Sequence, residues 1–496
     1  MSALAMSWQE WARHDAVSLA ELVRTRQISP RETVAQAAAG VAKVDARLGA
    51  VLEVFADTLA NPDTDGPDRA GPLYGVPFFL KDLGSGLRGR LQESGSALMA
   101  GYVAAATDPL LENFLRAGMV PLGRATTPEF GLTFDTTTEY GGQRRVTRNP
   151  WNLARTPGGS SGGSAALVAA GVTPLSMASD GGGSIRIPAS FCGLVGLKPA
   201  RGRMPPPLAR NEYLVRVSIE GVVSRSVRDT AVAADALRHV PNGGTFMPLA
   251  PPPVSFTQAV ARDPARLSVG FSTGRWGRGT DTDPEVAGRV REVARLLEHL
   301  GHAVEEVDDA RICDWEELWW AYHASWIGSR VMFADMAEAR GIAPDALGAH
   351  LTPITYQHAL AAAAYSPRDI YRMMALNNRV TRQFGALMGR YDVLLTPTLA
   401  IRVPEADGPY SLLRDEPLAG WIARLTDACR YTMPANETGL PAVSIPAGMD
   451  TDGLPIGAQF YGNFAREDVI LALAAQVERA RPEWFARTPP VHVSGG

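Results

Sequence analysis

The stretch Ser179-Asp180-Gly181-Gly182-Gly183-Ser184-Ile185-Arg186 places a serine directly after three consecutive glycines. A second stretch of similar composition lies upstream, Gly158-Gly159-Ser160-Ser161-Gly162-Gly163-Ser164. A hydroxyl that attacks a carbonyl group needs backbone N–H groups aimed at the oxyanion that forms. Glycine leaves such N–H groups open, although it also serves simple tight turns. The two stretches therefore predict a nucleophilic site for carbonyl compounds, with a structural turn as the alternative interpretation.

Helices and strands alternate around these stretches, and this alternation predicts an α/β protein. Residues 164–171 have the pattern of a small-residue helix, and residues 172–178 that of the following strand. Val76–Leu80 is a short apolar run typical of a buried strand. Near the N-terminus, Ser18 and Ser29 are each followed three residues later by Glu, which predicts two helices opened by capping boxes.

Composition narrows the class of protein. The 496 residues carry a formal net charge of -4, so nothing favours binding to nucleic acid or to an anionic membrane surface. Cys192, Cys313 and Cys429 are odd in number and far apart, which predicts neither a disulfide framework nor a zinc site. No apolar run approaches about 18 residues, and the first residues do not resemble a signal peptide. We expect a cytoplasmic enzyme.

The base that activates the serine is the next question. Gly158–Gly162 matches the G-x-S-x-G nucleophile elbow, but the Pro-containing segment before it is not a strand, and the histidines lie in no suggestive context. A buried, neutral lysine is another suitable base. The chain has only three lysines, Lys43, Lys81 and Lys198. Lys81 ends the apolar run, where desolvation would lower its pKa. A solvent-exposed pair with Asp82 is the alternative.

Several motifs resemble the amidase signature family. They include Lys81-Asp82-Leu83, both glycine-serine stretches and Phe191-Cys192-Gly193-Leu194-Val195-Gly196-Leu197-Lys198-Pro199. The resemblance covers most of the chain and is strongest from Gly75 to Met204. It implies the amidase-signature fold, an α/β architecture in which helices cover both faces of a large, mixed, twisted β-sheet. We expect one domain over residues 1–496, with an N-terminal helical region (1–70), a signature core (71–250) and a variable helical region lining the substrate pocket (305–430).

The resemblance also implies a Ser–cis-Ser–Lys triad. Ser184 corresponds to the nucleophile, Ser160 to the bridging serine after a cis peptide bond, and Lys81 to the base. The resemblance implies three further roles. The backbone amides of Gly181, Gly182, Gly183 and Ser184 correspond to those that bind the oxyanion. The Gly131 carbonyl corresponds to the one that faces the leaving group, and Ser161 to the serine that holds the bridging loop by hydrogen bonds. The family chemistry requires no metal and no organic cofactor.

The implied function is hydrolysis of the C–N bond of a small-molecule amide through an acyl-enzyme, by a monomer or homodimer. Family members that act on nylon oligomers and aryl amides are similar. Hydrolysis of carbamates or esters is an alternative within the family. An amidase subunit of a glutamine-dependent amidotransferase and a catalytically inactive binding module are further alternatives.

The variable helical region (305–430) says less about the substrate than the signature core says about the reaction. Trp315, Trp319, Tyr322 and Trp326 are spaced to share one helix face. Such a face is typical of a core helix, but it also suits the aromatic wall of a substrate pocket. Charged recognition groups are not evident in this segment, so we expect a neutral, hydrophobic or aryl substrate.

Overall fold

The computed structural model describes residues 4–140, 142–210, 217–245 and 247–495. Its strands form three sheets. In chain order they are β1 (Val51–Val54), β2 (Pro77–Lys81), β3 (Val120–Ala125), β4 (Thr137–Tyr140), β5 (Gln143–Val146), β6 (Leu175–Asp180), β7 (Val195–Lys198), β8 (Ile219–Ser224), β9 (Ser268–Phe271), β10 (Ala303–Glu306), β11 (Val393–Pro397), β12 (Ala442–Met449) and β13 (Pro455–Gly462).

The largest sheet has eight strands in the order β10-β9-β11-β13-β12-β7-β8-β6. The β10–β9 and β9–β11 pairs are parallel, and the other pairs in this sheet are antiparallel. A second sheet has the order β1-β3-β2, and β4 pairs with β5. The predicted large mixed sheet is therefore confirmed.

Helices surround the sheets. In chain order they are α1 (Trp8–Arg13), α2 (Ala16–Arg24), α3 (Pro30–Leu48), α4 (Ala56–Ala60), α5 (Pro109–Arg116), α6 (Gly162–Ala169), α7 (Arg186–Cys192), α8 (Val227–Leu237), α9 (Phe256–Val260), α10 (Pro284–His299), α11 (Trp315–Gly328), α12 (Met332–Ala339), α13 (Pro353–Ala362), α14 (Pro367–Met388), α15 (Leu418–Ala428), α16 (Met433–Thr438), α17 (Glu467–Ala480) and α18 (Pro482–Phe485).

Alternate residues of the central strand β13 enter two different cores. Phe460 packs in the core that includes α10 and α17, while its neighbour Tyr461 packs with residues of α11 and α14. Because successive side chains of a strand point to opposite faces, this alternation requires helices on both sides of the sheet. The predicted two-sided cover is confirmed.

The local elements differ in detail from the sequence predictions. Ser29 forms the predicted capping box with Glu32. Ser18 does not open a helix: Asp15 caps α2, and the Ser18 amide donates to the Asp15 carboxylate. The strand predicted at residues 172–178 begins later, at Leu175, because Gly171 adopts the left-handed conformation with φ 77° and the chain turns before extending. The strand ends at Asp180, within the glycine-rich stretch.

The two larger sheets meet where the candidate site lies. The Phe79 amide of β2 donates to the Ser176 hydroxyl of β6 at 3.3 Å, so the two strands run beside each other. Their ends also meet, because Nζ of Lys81, the last residue of β2, lies 2.9 Å from Oγ of Ser179 near the end of β6. The helices α6 and α7 follow the two glycine-serine stretches there.

Candidate active site

Lys81 is the last residue of β2 and is only 1% exposed. Its Nζ lies 2.7 Å from Oγ of Ser160 and 2.9 Å from Oγ of Ser179. Burial lowers the pKa of Lys81 to about 7, against an opposing attraction from Glu220 and Asp180. The amine is therefore substantially neutral near neutral pH, and a neutral amine can accept a proton from a hydroxyl.

Ser160 occupies the tight turn before α6. The Gly159–Ser160 peptide bond is cis, as the resemblance to the amidase signature family implies. The Thr127 hydroxyl donates to the Ser160 carbonyl oxygen at 2.9 Å. Gly131 lies against the same side chain, because a Cβ on residue 131 would lie 2.9 Å from the Ser160 hydroxyl oxygen and 2.6 Å from a methyl carbon of Leu83. A side chain at residue 131 would thus displace the turn.

Ser184 lies between β6 and α7, half-buried beside the cavity described below. Its carbonyl oxygen accepts a hydrogen bond from the Ser161 amide at 3.3 Å, which joins the two glycine-serine stretches. Ser161 also exchanges hydrogen bonds with the Ser179 backbone, accepting from its N–H at 3.2 Å and donating to its carbonyl at 3.3 Å. This clamp holds the turn of Ser160 against the end of β6.

The four amides predicted for the oxyanion are not equivalent. The Gly183 N–H donates to the Asp180 carboxylate at 2.7 Å and so already has an acceptor. Within the described residues, the N–H groups of Gly181, Gly182 and Ser184 donate to no protein acceptor. These three amides are the ones open to a ligand.

A buried ion pair fixes the shape of this loop. Nε of Arg186 lies 2.9 Å from Oδ2 of Asp180, and both side chains are fully buried. Asn436 also donates to the Asp180 carboxylate, at 2.8 Å. Burial opposes the charge of Asp180, but the Arg186 guanidinium and these hydrogen bonds outweigh it and lower its pKa to about 2. Asp180 is therefore ionised and holds the Gly183 and Ile185 amides in place.

A cavity of about 760 Å³ opens over Ser160 and Ser184. Gly131, Gly181 and Gly182 also line it. Apolar residues form much of its wall, among them Phe130, Leu132, Phe134, Ile187, Trp326 and Met433. The cavity is large enough for an organic substrate of drug-like size.

The predicted aromatic stripe divides between core and cavity. Trp319 packs in the core and donates its indole N–H to the Trp276 carbonyl oxygen, and the Trp315 ring contacts the Trp276 ring in a tilted arrangement. Tyr322 and Trp326 line the cavity. Both interpretations of the stripe thus hold for part of it, because one end of α11 lies in the core and the other beside the cavity.

Three residues of the site escaped the sequence analysis. The Ser179 hydroxyl accepts a hydrogen bond from Lys81. Its position in the same glycine-rich stretch, five residues before Ser184, was a signal that could have identified it as a site residue. The Tyr322 hydroxyl donates to the Gly181 carbonyl oxygen at 3.2 Å and so supports the loop of residues 181–184, the predicted oxyanion loop, from another part of the chain. Arg330 lines the cavity, contrary to the expectation that the segment offers no charged group to a substrate.

The described residues contain no cluster of three or more His, Cys, Asp or Glu side chains suited to a metal ion. Within the same residues, no helix is both long and apolar enough to cross a lipid bilayer.

A family model described as Amidase matches residues 32–471. The chain belongs to the amidase signature family. It is similar to the 6-aminohexanoate-cyclic-dimer hydrolase of Pseudomonas sp. (strain NK87), with 35% identity over 96% of each chain. The amidase is therefore a hydrolase that acts on amide bonds.

Solved structures agree with this assignment. A 6-aminohexanoate cyclic dimer hydrolase matches with a TM-score of 0.86 and 32% identity, covering 97% of this chain and 99% of that one. A bacterial aryl acylamidase of the same family matches with a TM-score of 0.82 and 28% identity, covering 95% and 97%. The amidase-signature fold predicted from the sequence is confirmed.

Proposed function

We propose that this amidase hydrolyses amides through an acyl-enzyme on Ser184, with Ser160 as the proton relay and Lys81 as the base. The observation that carries the proposal is the buried Lys81 amine, 2.7 Å from the Ser160 hydroxyl, beneath a cavity that Ser184 also lines. A lysine with a pKa of about 7 can accept and return a proton near neutral pH. The matched family supports the same assignment.

In the acylation step, the Ser184 hydroxyl oxygen attacks the substrate carbonyl carbon. Its proton passes to Ser160, whose own proton passes to the Lys81 amine. The tetrahedral oxyanion accepts hydrogen bonds from the amides of Gly181, Gly182 and Ser184. One donor of this kind is typically worth about 2.7–4 kcal/mol in the transition state.

The C–N bond then breaks. The leaving amine takes a proton from Ser160, and Lys81 returns its proton to Ser160, which leaves the acyl group on Ser184. In the hydrolytic step, water attacks this ester and loses its proton through the same relay. Ser184 recovers a proton as it leaves, and the products are the carboxylic acid and the free enzyme. The Gly131 carbonyl is assigned to face the leaving amine, consistent with its place in the cavity lining.

The cavity supports a substrate with a bulky hydrophobic or aryl part. Trp326, Phe134 and Met433 offer apolar and aromatic surface for such a group. Because carbamates and esters share the acyl-transfer step, their hydrolysis is the alternative to be tested within the same mechanism.

The test is labelling with a serine-directed fluorophosphonate, with the modified residue located by mass spectrometry. We expect one label on Ser184 and neither label nor turnover in Ser184→Ala. The matched control is Ser164→Ala, because this serine belongs to the neighbouring stretch but its hydroxyl donates to the Met177 carbonyl oxygen at 2.7 Å. Labelling at another serine, or amide turnover by Ser184→Ala, would contradict the proposal.

A panel of matched anilides, urethanes and esters then defines the substrate class. We expect hydrophobic anilides to be hydrolysed with release of the amine. Turnover of urethanes or esters with no turnover of any amide would assign the alternative reaction.

A further inference from the structure

Arg330 lies in the short helical turn Ser329–Val331 that follows α11 and lines the active-site cavity. It is half-buried, and its neighbours on the cavity wall include Val331, Met332 and Trp326. The guanidinium carbon lies 6.0 Å from the centre of the Phe333 ring. A cation therefore faces a largely apolar part of the cavity.

This guanidinium has no protein acceptor in the part of the chain that the structure describes. Its Nε is buried without a hydrogen-bond partner, and Arg330 takes part in none of the ion pairs found among those residues. Two buried arginines, Arg186 and Arg203, are by contrast paired with Asp180 and Glu467. A buried cation is normally paired, because desolvation otherwise makes it costly.

The groups nearest to Arg330 do not neutralise it. Burial raises the pKa of Tyr322, so its phenol is uncharged. Burial, together with the Arg330 charge, lowers the pKa of His358 to about 4, so this imidazole is also neutral. Asp335 lines the same cavity, but it is exposed and forms no ion pair with Arg330 in the described residues. The missing counter-charge is therefore one that a ligand can supply.

Arg330 also has a connection to the reacting groups. Its neighbour Tyr322 lies two helical turns earlier, and the Tyr322 hydroxyl donates to the Gly181 carbonyl oxygen of the oxyanion loop. Arg330 and Ser184 thus line one continuous cavity, so a single extended substrate can reach both.

We propose that Arg330 binds a terminal carboxylate of the substrate, so that the preferred substrates are hydrophobic amides with an acidic end. The planar fork of N–H donors matches the two oxygens of a carboxylate, and such charge-assisted pairs are strong when water is excluded. The inference rests on the proposed amide hydrolysis at Ser184. It replaces the expectation of a neutral substrate, while the apolar wall still selects a hydrophobic chain.

The test compares matched amides that differ only in charge. Half-amides of dicarboxylic acids with 4-nitroaniline are paired with acyl 4-nitroanilides in which an isopropyl group replaces the carboxylate, for example glutaryl against 5-methylhexanoyl. Several chain lengths are used. A second pair carries the charge on the amine side: hexanoyl amides of 4-aminobenzoate and of 4-isopropylaniline. In at least one pair, we expect the carboxylate to raise kcat/KM by about 10- to 100-fold.

The variants then assign this preference to Arg330. In Arg330→Gln, the ratio of kcat/KM for the acidic amide to that for its isopropyl partner should fall to near 1, and Arg330→Lys should restore part of it. Arg340→Gln is the matched control, because Arg340 lines the mouth of the same cavity but is exposed and donates to the Ala100 carbonyl oxygen. This variant removes the same charge and should keep most of the preference.

The outcomes separate this inference from the proposed function. If the wild-type enzyme cleaves the isopropyl-ended amides but prefers no acidic partner, the carboxylate site is wrong and amide hydrolysis stands. A preference that persists in Arg330→Gln also overturns the assignment to Arg330. If no amide in either series is cleaved, the proposed function itself fails.

Discussion

Replacing Lys81 by arginine tests whether a neutral amine drives the reaction. At a pKa of about 7, half of the Lys81 side chains are neutral at pH 7. At the ordinary lysine value of 10.5, about one in 3,000 would be neutral at that pH. Arginine keeps its charge in proteins and offers no acceptor at all. Lys81→Arg therefore preserves the charge of the protonated lysine but removes the base.

We expect kcat/KM of Lys81→Arg to fall by about 1,000-fold, within the range that general acid–base catalysis contributes. The assay is release of 4-nitroaniline from an acyl nitroanilide at pH 7.5, with a thermal melt to show that the variant is folded. Because Lys81 is buried, the larger arginine side chain also risks a steric effect. Lys81→Met is the control for size, since it fits the same space and also lacks a base. Its loss should be similar.

The pH dependence of the wild-type enzyme provides an independent check. Burial favours the neutral amine, so the active form accumulates as the pH rises through about 7. We expect kcat/KM to fall about tenfold per pH unit below pH 6 and to level off above pH 8. A flat profile between pH 5 and 8, or Lys81→Arg with more than a tenth of wild-type kcat/KM, would refute the role of Lys81 as the base.

Two further predictions concern stability and the oxyanion loop. Lys81→Met should raise the free energy of unfolding at pH 6.5 by about 2 kcal/mol in urea titrations. The lowering of the Lys81 pKa from 10.5 to about 7 destabilises the folded wild type by about 4–5 kcal/mol, and methionine removes this cost. The loss of two hydrogen bonds reduces the gain by about 1 kcal/mol each. The gain should shrink toward pH 10, where the unfolded state also loses the proton, and a gain independent of pH would contradict this origin. Gly182→Ala should lower kcat/KM by about 10- to 100-fold, because its Cβ would lie 2.4 Å from the Tyr322 hydroxyl oxygen and displace the loop. In Gly181→Ala the added Cβ would lie 3.6 Å from its nearest atom, so the fold-decrease in kcat/KM should be less than a tenth of that in Gly182→Ala. Equal decreases in the two variants would show that crowding at Tyr322 is not the cause.

The short-range features of the site were predictable from the chain. The small-residue run after Gly158 and the apolar run before Lys81 carry local signals for a helix and a strand, and both elements are present. Element boundaries were less predictable: the strand expected at residues 172–178 is β6, and a left-handed glycine at position 171 delays its start to Leu175. Ser18 illustrates the same limit: its capping pattern is genuine, but Asp15 caps the helix first.

The position of the cation in the cavity was not predictable in this way. Arg330 lies in a segment whose sequence is that of an ordinary helix end, and no local pattern distinguishes it from the many surface arginines. Its lack of a counter-charge depends on which side chains other parts of the chain bring near it. The same holds for Tyr322, whose hydrogen bond to Gly181 joins residues 141 positions apart.

The sequence by itself carried the motifs on which the proposed chemistry rests: two glycine-serine stretches and one lysine among three, arranged as in the amidase signature family. Short motifs carry the serine hydroxyls and the backbone amides because residues close together in the chain supply both. Only the tertiary structure decided that Lys81 is buried against Ser160, that the Gly183 amide already donates to Asp180, and that Arg330 lines the cavity without an ion-pair partner among the described residues. Burial and pairing depend on contacts between distant parts of the chain, and they set the pKa of Lys81 and the charge that Arg330 presents to the cavity.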